Sequence, residues 1–139
     1  MVNNTIQWFP GHMHKARKEM SEVMGQIDII IEVVDARIPY SSENPFSQEL
    51  RGDKPLIKVL NKCDLADPEM IARWQEHLEQ QKGISSLAIT THEPAQVNKI
   101  MDLCRKLVTH RDEQGKDIRA LIMGIPNVGK SSIINILAG

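Results

Sequence analysis

Few features of this sequence point to a membrane, a secreted fold or a metal centre. No apolar run approaches the roughly 18 residues needed to cross a bilayer, and the opening MVNNTIQWFPGHM lacks the apolar core of a signal peptide. The two cysteines, Cys63 and Cys104, form neither a spaced pair nor a metal-binding pattern, which favours free thiols in a reducing compartment. These absences predict a cytoplasmic protein with no membrane partner.

An excess of charge of one sign is also lacking. Seventeen Lys and Arg residues against eighteen Asp and Glu residues leave a formal net charge of -1, so any contact with nucleic acid must use a local basic patch. What is present is the composition of one folded domain, with 41% hydrophobic and 25% charged residues in a chain of 139. A chain of this size and composition is able to bury a substantial core.

Apolar periodicity predicts strands that alternate with helices. Helices are predicted over residues 68–82, after an Asp67 N-cap, and along the periodic apolar positions from 97 to 108. A further amphipathic helix with a basic side is predicted between residues 12 and 27. Alternating elements of this kind are typical of a parallel α/β sheet. The predicted strands cover residues 27–35, 84–90 and 119–125, and a further strand begins at residue 54 and runs into a loop at Asn61.

A phosphate-binding loop is predicted close to the end of the sequence. GIPNVGKSS, residues 124–132, contains the pattern G-x-x-x-x-G-K-[ST] between a predicted strand and an apolar helix, which argues against a chance βα turn. Glycines let backbone N–H groups surround phosphate oxygens, while Lys130 would bridge the outer phosphates and Ser131 would bind the accompanying Mg²⁺. The predicted nucleotide contacts of this loop are Asn127, Val128, Gly129, Lys130, Ser131 and Ser132.

A second motif favours guanine over adenine. NKCD, residues 61–64, lies at the carboxyl end of a predicted strand and matches the N-K-x-D guanine motif. The Asp64 carboxylate can accept two hydrogen bonds from guanine, from its ring N–H and its exocyclic amine, whereas adenine has no such pair of donors. The alternative is a polar turn in which the aspartate caps a helix. Together with the phosphate loop, the motif predicts binding of GTP or GDP.

Four segments together resemble a known group of GTPases: QWFPGHMHKARKE, VVDARIPYSSENP, NKCD and GIPNVGKSSIIN. Because the guanine motif precedes the phosphate loop, the reverse of the Ras-like order, the chain resembles a circularly permuted GTPase. The motifs identify it, over residues 5–139, as similar to the RbgA/YlqF-type GTPases of bacterial large-subunit ribosome assembly. The resemblance implies an α/β fold with a parallel P-loop GTPase sheet, GTP or GDP with Mg²⁺ as cofactors, and the large ribosomal subunit or its rRNA as partner.

The same resemblance implies roles for further residues. Lys62 would lay its stem along the base, and Asn61 would tie the guanine motif to the phosphate loop. Thr90 and Thr91 stand where GTPases place their last base-contacting loop, although Ser-Ala is usual there. His12, in the PGHM motif, would assist hydrolysis in place of the usual glutamine. The alternative for this segment is a structural cap that docks on the core.

The sequence also departs from the family. Relatives of this type continue past the phosphate loop through a switch threonine, a D-x-x-G motif and a helical RNA-binding domain, none of which follows Ser131 here. We therefore expect a basic N-terminal segment at 1–26 and an incomplete GTPase domain at 27–139, lacking its C-terminal strands and the helical domain.

This incomplete domain would bind GDP and GTP alike without efficient hydrolysis, and the strand before the phosphate loop would have one unpaired edge. Two alternatives stay open. One is an ATP-dependent P-loop enzyme with an accidental NKCD, and the other is an RNA- or ribosome-binding module that uses the basic residues 12–18 beside a vestigial nucleotide site.

Overall fold

A five-stranded, all-parallel sheet forms the centre of the molecule. The structure is a computed structural model that describes residues 6–10, 22–39, 49, 51–109, 117–124 and 129–138. The strands are β1 (Ile6–Pro10), β2 (Ile29–Asp35), β3 (Leu56–Asn61), β4 (Ile84–Ala88) and β5 (Ile118–Met123), in the spatial order β1-β5-β2-β3-β4. The helices are α1 (Pro68–Glu79), α2 (Pro94–Leu107) and α3 (Lys130–Ala138). The parallel α/β fold predicted from the alternating pattern is thereby confirmed.

Helices cover both faces of this sheet, which explains why the central strands are apolar almost throughout. Every residue of β2 and of β3 is buried. Side chains alternate between the two faces along each strand. The face beneath α2 and α3 includes Ile31, Val33, Ile57, Val59, Ile100, Cys104 and Ile133. The face beneath α1 includes Ile30, Val34, Leu56, Leu60 and Leu78, with Ile71 and Trp74 partly buried against it.

Helix α1 begins where the sequence predicts. The Asp67 side chain accepts a hydrogen bond from the Glu69 N–H at 3.0 Å, and Pro68 takes the first helical position. The helix ends at Glu79 rather than at residue 82, because the chain must turn before it enters β4. Gly83 makes this turn with a φ of 82°, a conformation that glycine adopts without steric cost.

The strand before the phosphate loop has neighbours on both sides, so the expectation of an unpaired edge there is wrong. Strand β5 pairs with β2 on one side and with β1 on the other, in a register that runs from Ile6 opposite Ile118 to Pro10 opposite Ile122. The N-terminal segment that carries β1 was not predicted as a strand. The strand that leads into the phosphate loop therefore lies inside the sheet, between two strands from earlier in the chain.

The helix predicted between residues 12 and 27 lies largely outside the described residues. Its described part is helical over residues 22–24. Met24 and Ile27 are buried against the α1 side of the sheet.

Both cysteines are free, as the sequence predicts, and burial raises the pKa of Cys104 to about 12. Among the described residues, no helix is long and apolar enough to cross a bilayer.

Candidate nucleotide-binding site

The guanine motif and the end of the phosphate loop meet at one edge of the sheet. Asn61 is the last residue of β3, and α3 begins at Lys130 directly after Gly129. In a parallel sheet the carboxyl ends of all strands lie at the same edge, which is where ligands bind in open α/β folds. The tertiary structure thus brings together two motifs that are separated by more than sixty positions in the sequence.

Asn61 and Gly129 are in direct contact. The Asn61 side chain is buried, and a Cβ atom added at Gly129 would overlap its amide nitrogen, Nδ2, and lie 3.5 Å from its Cγ. Gly129 also has a φ of 92°, in the region that favours glycine. Both the conformation and the close approach therefore require glycine at the position that the phosphate-loop pattern assigns to it.

Replacing Gly129 by alanine tests this contact. We expect Gly129→Ala to lower the free energy of unfolding by about 2–3 kcal/mol, because the left-handed backbone costs an alanine about 1–2 kcal/mol and its methyl group must displace Asn61. Urea unfolding followed by circular dichroism measures this. Gly52→Ala is the matched control, since Gly52 has a φ of 55° and open space around the added Cβ. A loss no larger than that of the control would contradict the Asn61 contact.

The guanine motif continues from Asn61 into a tight turn. Lys62 adopts a left-handed conformation with a φ of 64°, the only described non-glycine residue with positive φ. A 3₁₀ turn over Cys63–Leu65 follows, and the Cys63 N–H donates to the Ile89 carbonyl at 3.0 Å. Asp64 lies within this turn with 38% of its side chain exposed. Its carboxylate is therefore accessible to a ligand at the edge of the sheet.

A second carboxylate, Asp35, supports this loop from the end of β2. It accepts hydrogen bonds from Arg37 Nε at 3.0 Å and Arg37 Nη2 at 2.7 Å, and the Lys62 Nζ lies 3.4 Å from its Oδ2. The Arg37 hydrogen bonds outweigh burial and hold the pKa of Asp35 at about 2. Asp35 therefore carries a full negative charge next to the guanine motif at any pH near neutrality.

The loop after β4 contributes a histidine. Thr90 is buried, and its N–H donates to the Gln96 side chain at 3.0 Å, while its hydroxyl accepts from the His92 N–H at 3.3 Å. Thr91 is half-buried. His92 is exposed, with its Nε2 4.0 Å from Asp64 Oδ2. Thr90 thus stabilises the turn before α2, and His92 is the side chain of this loop that faces Asp64.

On the phosphate side, Lys130 is half-buried at the first position of α3, and desolvation lowers its pKa. Ser131 and Ser132 are exposed in the first turn of the same helix. Asn127, Val128 and His12 lie outside the described residues. The described part of the predicted phosphate site is therefore a helix N-terminus with a glycine in the left-handed conformation, a lysine and two hydroxyl groups.

Sequence reasoning gave no role to Asp35, Arg37 or His92. A signal for the first two was available, since DAR ends the predicted first strand as NKCD ends the second. Adjacent parallel strands bring such ends together, and Asp35 stands opposite Asn61 in the β2–β3 register. His92 carries no comparable signal, because its approach to Asp64 depends on the turn that Thr90 forms.

A parallel α/β sheet with a guanine-type motif and a phosphate loop on one edge defines the P-loop GTPase fold. No family model matches the sequence. Individual curated proteins, however, are similar to it over most of its length. Ribosome biogenesis GTPase A of Bacillus pumilus (strain SAFR-032) is 49% identical over 141 residues, covering 96% of this chain and 50% of the relative. Mitochondrial ribosome-associated GTPase 1 of Mus musculus is 41% identical over 140 residues, covering 97% of this chain and 43% of the relative.

A solved structure agrees with these relatives. A GDP-bound structure of TM YlqF superposes with a TM-score of 0.57 at 29% identity, covering 84% of this chain and 46% of that one. The resemblance seen in the motifs is confirmed: the chain is a homologue of the RbgA/YlqF-type GTPases. It spans about half the length of the curated relatives it matches.

Proposed function

We propose that this chain forms the guanine-nucleotide-binding part of a GTPase that acts in ribosome assembly in the cytoplasm. The observation that carries the proposal is the contact between Asn61 and Gly129, which joins the guanine motif to the phosphate loop. A single ligand with a base at one end and phosphates at the other can reach both motifs. The names of the relatives, a ribosome biogenesis GTPase and a mitochondrial ribosome-associated GTPase, support the biological setting.

Each described residue of the site has a proposed task. Asp64 accepts the paired guanine donors, and Lys62 lies along the base. The N–H groups at the start of the nine-residue α3 and the Lys130 ammonium bind the phosphates. Ser131 holds Mg²⁺, which neutralises phosphate charge when it is bound. These residues fit such a ligand. Gly129, with its positive φ, has no side chain to obstruct the phosphates, and the exposed Ser131 is accessible to Mg²⁺.

Thermal denaturation with different nucleotides tests the base preference. At a GDP concentration about 100 times its Kd, binding should add about 2.7 kcal/mol to the free energy of unfolding and raise the melting temperature. GTP should give a similar shift, and ADP at the same concentration should give none. An equal or larger shift with ADP would favour an ATP-dependent enzyme and overturn the proposal.

Hydrolysis is proposed for the complete family member, with His12 orienting the attacking water. These 139 residues alone should bind nucleotide without efficient turnover, because no D-x-x-G motif follows the phosphate loop within them. Phosphate release by the purified chain should stay near the uncatalysed rate, with or without ribosomes. Ribosome-stimulated hydrolysis by these residues would contradict this.

The role of His12 is tested in a full-length protein that contains these residues. We expect His12→Ala to lower kcat at least tenfold and to leave the Kd for GTP within about twofold. The reason is that orienting the attacking water speeds hydrolysis and does not contribute to ground-state binding of GTP. Phosphate release and nucleotide titration measure the two constants separately. If both constants worsen together, or the protein melts earlier, the segment is a structural cap instead.

The proposed partner is the large ribosomal subunit or its rRNA. Co-sedimentation of the full-length protein with purified large and small subunits tests this, and equal binding to both would contradict it. Measuring the same binding across salt concentrations separates electrostatic attachment to RNA from contacts with ribosomal proteins.

A further inference from the structure

Asp35 lies between two cations that belong to different parts of the site. Arg37, two residues after Asp35, donates two side-chain hydrogen bonds to the carboxylate. The Arg37 backbone N–H donates a third, at 2.9 Å. Lys62, on the guanine motif, approaches the same carboxylate through its ammonium. The Asp35 side chain is only 5% exposed, so water screens these charges weakly.

The backbone of Lys62 is in a strained, left-handed conformation. A left-handed backbone is unfavourable for a lysine and persists only where the surroundings determine it. The surroundings of Lys62 include the backbone bond from the Ala36 N–H to the Asn61 carbonyl at 2.7 Å, and the Asp35 carboxylate on its side chain. Both contacts come from the end of β2. This end is therefore in a position to determine where the guanine motif points.

We infer that Asp35 is a positioning residue for guanine recognition: it holds the Lys62 ammonium and thereby sets the direction in which the turn after Lys62 presents Asp64. The inference rests on the proposed function, since it assigns guanine binding to this motif. In this inference Asp35 does not touch the base and acts through its contact with Lys62. Arg37 also anchors Asp35, through both carboxylate oxygens, and has 47% of its own side chain exposed.

A double-mutant cycle in the 139-residue chain, measured by calorimetric titration of GDP, tests this. Asp35→Asn should raise the Kd for GDP about tenfold, the size of effect expected for one charge-assisted bond. In a Lys62→Met background the same substitution should change the Kd less than about twofold, because the group through which Asp35 acts is gone. Equal losses in both backgrounds, or no loss in either, would overturn the inference.

Two variants separate positioning from a merely structural role. Arg37→Gln removes a different partner of Asp35 and leaves the Asp35–Lys62 pair, so the Kd for GDP should stay within about twofold. Asp35→Glu keeps a carboxylate within reach of Lys62 and should restore most of the affinity that Asp35→Asn loses. If Arg37→Gln reproduces the loss, Asp35 acts by anchoring its own loop and the inference fails.

Should Asp35→Asn fail to fold, Lys62 carries the test alone. Lys62→Arg keeps the charge that Asp35 holds and should bind GDP more tightly than Lys62→Met, and equal constants would overturn the inference. Failure of the proposed function would look different. The unaltered chain would then not distinguish GDP from ADP, and substitution of Asp64 would leave the Kd for GDP unchanged.

Discussion

Asp64→Asn should change the preference of this protein from guanine to xanthine nucleotides. A carboxylate accepts both guanine donors, whereas an asparagine amide offers one acceptor and one donor, which match the ring N–H and the second carbonyl of xanthine. Two charge-assisted bonds at about 1.5–3 kcal/mol each correspond to a loss of roughly 10²- to 10⁴-fold in GDP affinity. Titration of GDP and xanthosine diphosphate against both proteins measures the exchange.

Asp67→Asn is the matched control for this experiment. It makes the same chemical change three positions along the chain, at the N-cap of α1, where asparagine caps about as well as aspartate. Its nucleotide preference and its stability should therefore match those of the unaltered chain. An unchanged GDP affinity in Asp64→Asn would remove Asp64 from the base-reading site. Loss of both nucleotides together with a lower melting temperature would indicate a structural role for the carboxylate.

The second large effect is expected in the core, at an ion pair on the face of the sheet that α1 covers. Lys58 Nζ lies 2.6 Å from Glu32 Oε1, with 2% and 0% of the two side chains exposed. The residues stand opposite each other in the β2–β3 register. We expect Lys58→Met to lower the free energy of unfolding by about 3–5 kcal/mol, because it breaks a buried ion pair by removing one of its two charges. Urea unfolding measures the loss.

Two further variants give this prediction its contrast. Replacing both partners, Glu32→Leu with Lys58→Met, should bring stability back to within about 1 kcal/mol of the unaltered chain or above it, since neither charge of the buried pair is left. Arg73→Gln breaks the Glu69–Arg73 pair on α1, whose side chains are mostly exposed, and should cost less than about 1 kcal/mol. A Lys58→Met variant as stable as Arg73→Gln would contradict the buried pair.

Much of the fold was predictable because its signals are local. The β-branched run that ends at Asp35 predicts a strand covered on both faces, and the structure places it third in a five-stranded sheet. Asp67 followed by Pro68 predicts the start of α1 at the correct residue. The apolar positions of α2 that periodicity places inward, among them Val97, Ile100 and Cys104, are buried.

The elements that were missed depend on partners far along the chain. Strand β1 has only five residues and includes an exposed Gln7, so its pairing with β5 is not visible in its own composition. Glu32 and Lys58 are charged residues within otherwise apolar strands, and neither segment alone indicates that they pair. They became a pair only when two strands, more than twenty positions apart in sequence, aligned in register.

The sequence by itself determined the order of the motifs, the residue types that could meet a guanine base and phosphates, and the alternation of strands and helices. These are properties of short segments, in which side-chain chemistry and backbone preference act over a few residues. Only the tertiary structure decided that Asn61 contacts Gly129, that Asp35 holds Lys62, and that β5 lies between β1 and β2. Such contacts depend on strand order and register, which are fixed when distant segments bury their apolar faces against each other.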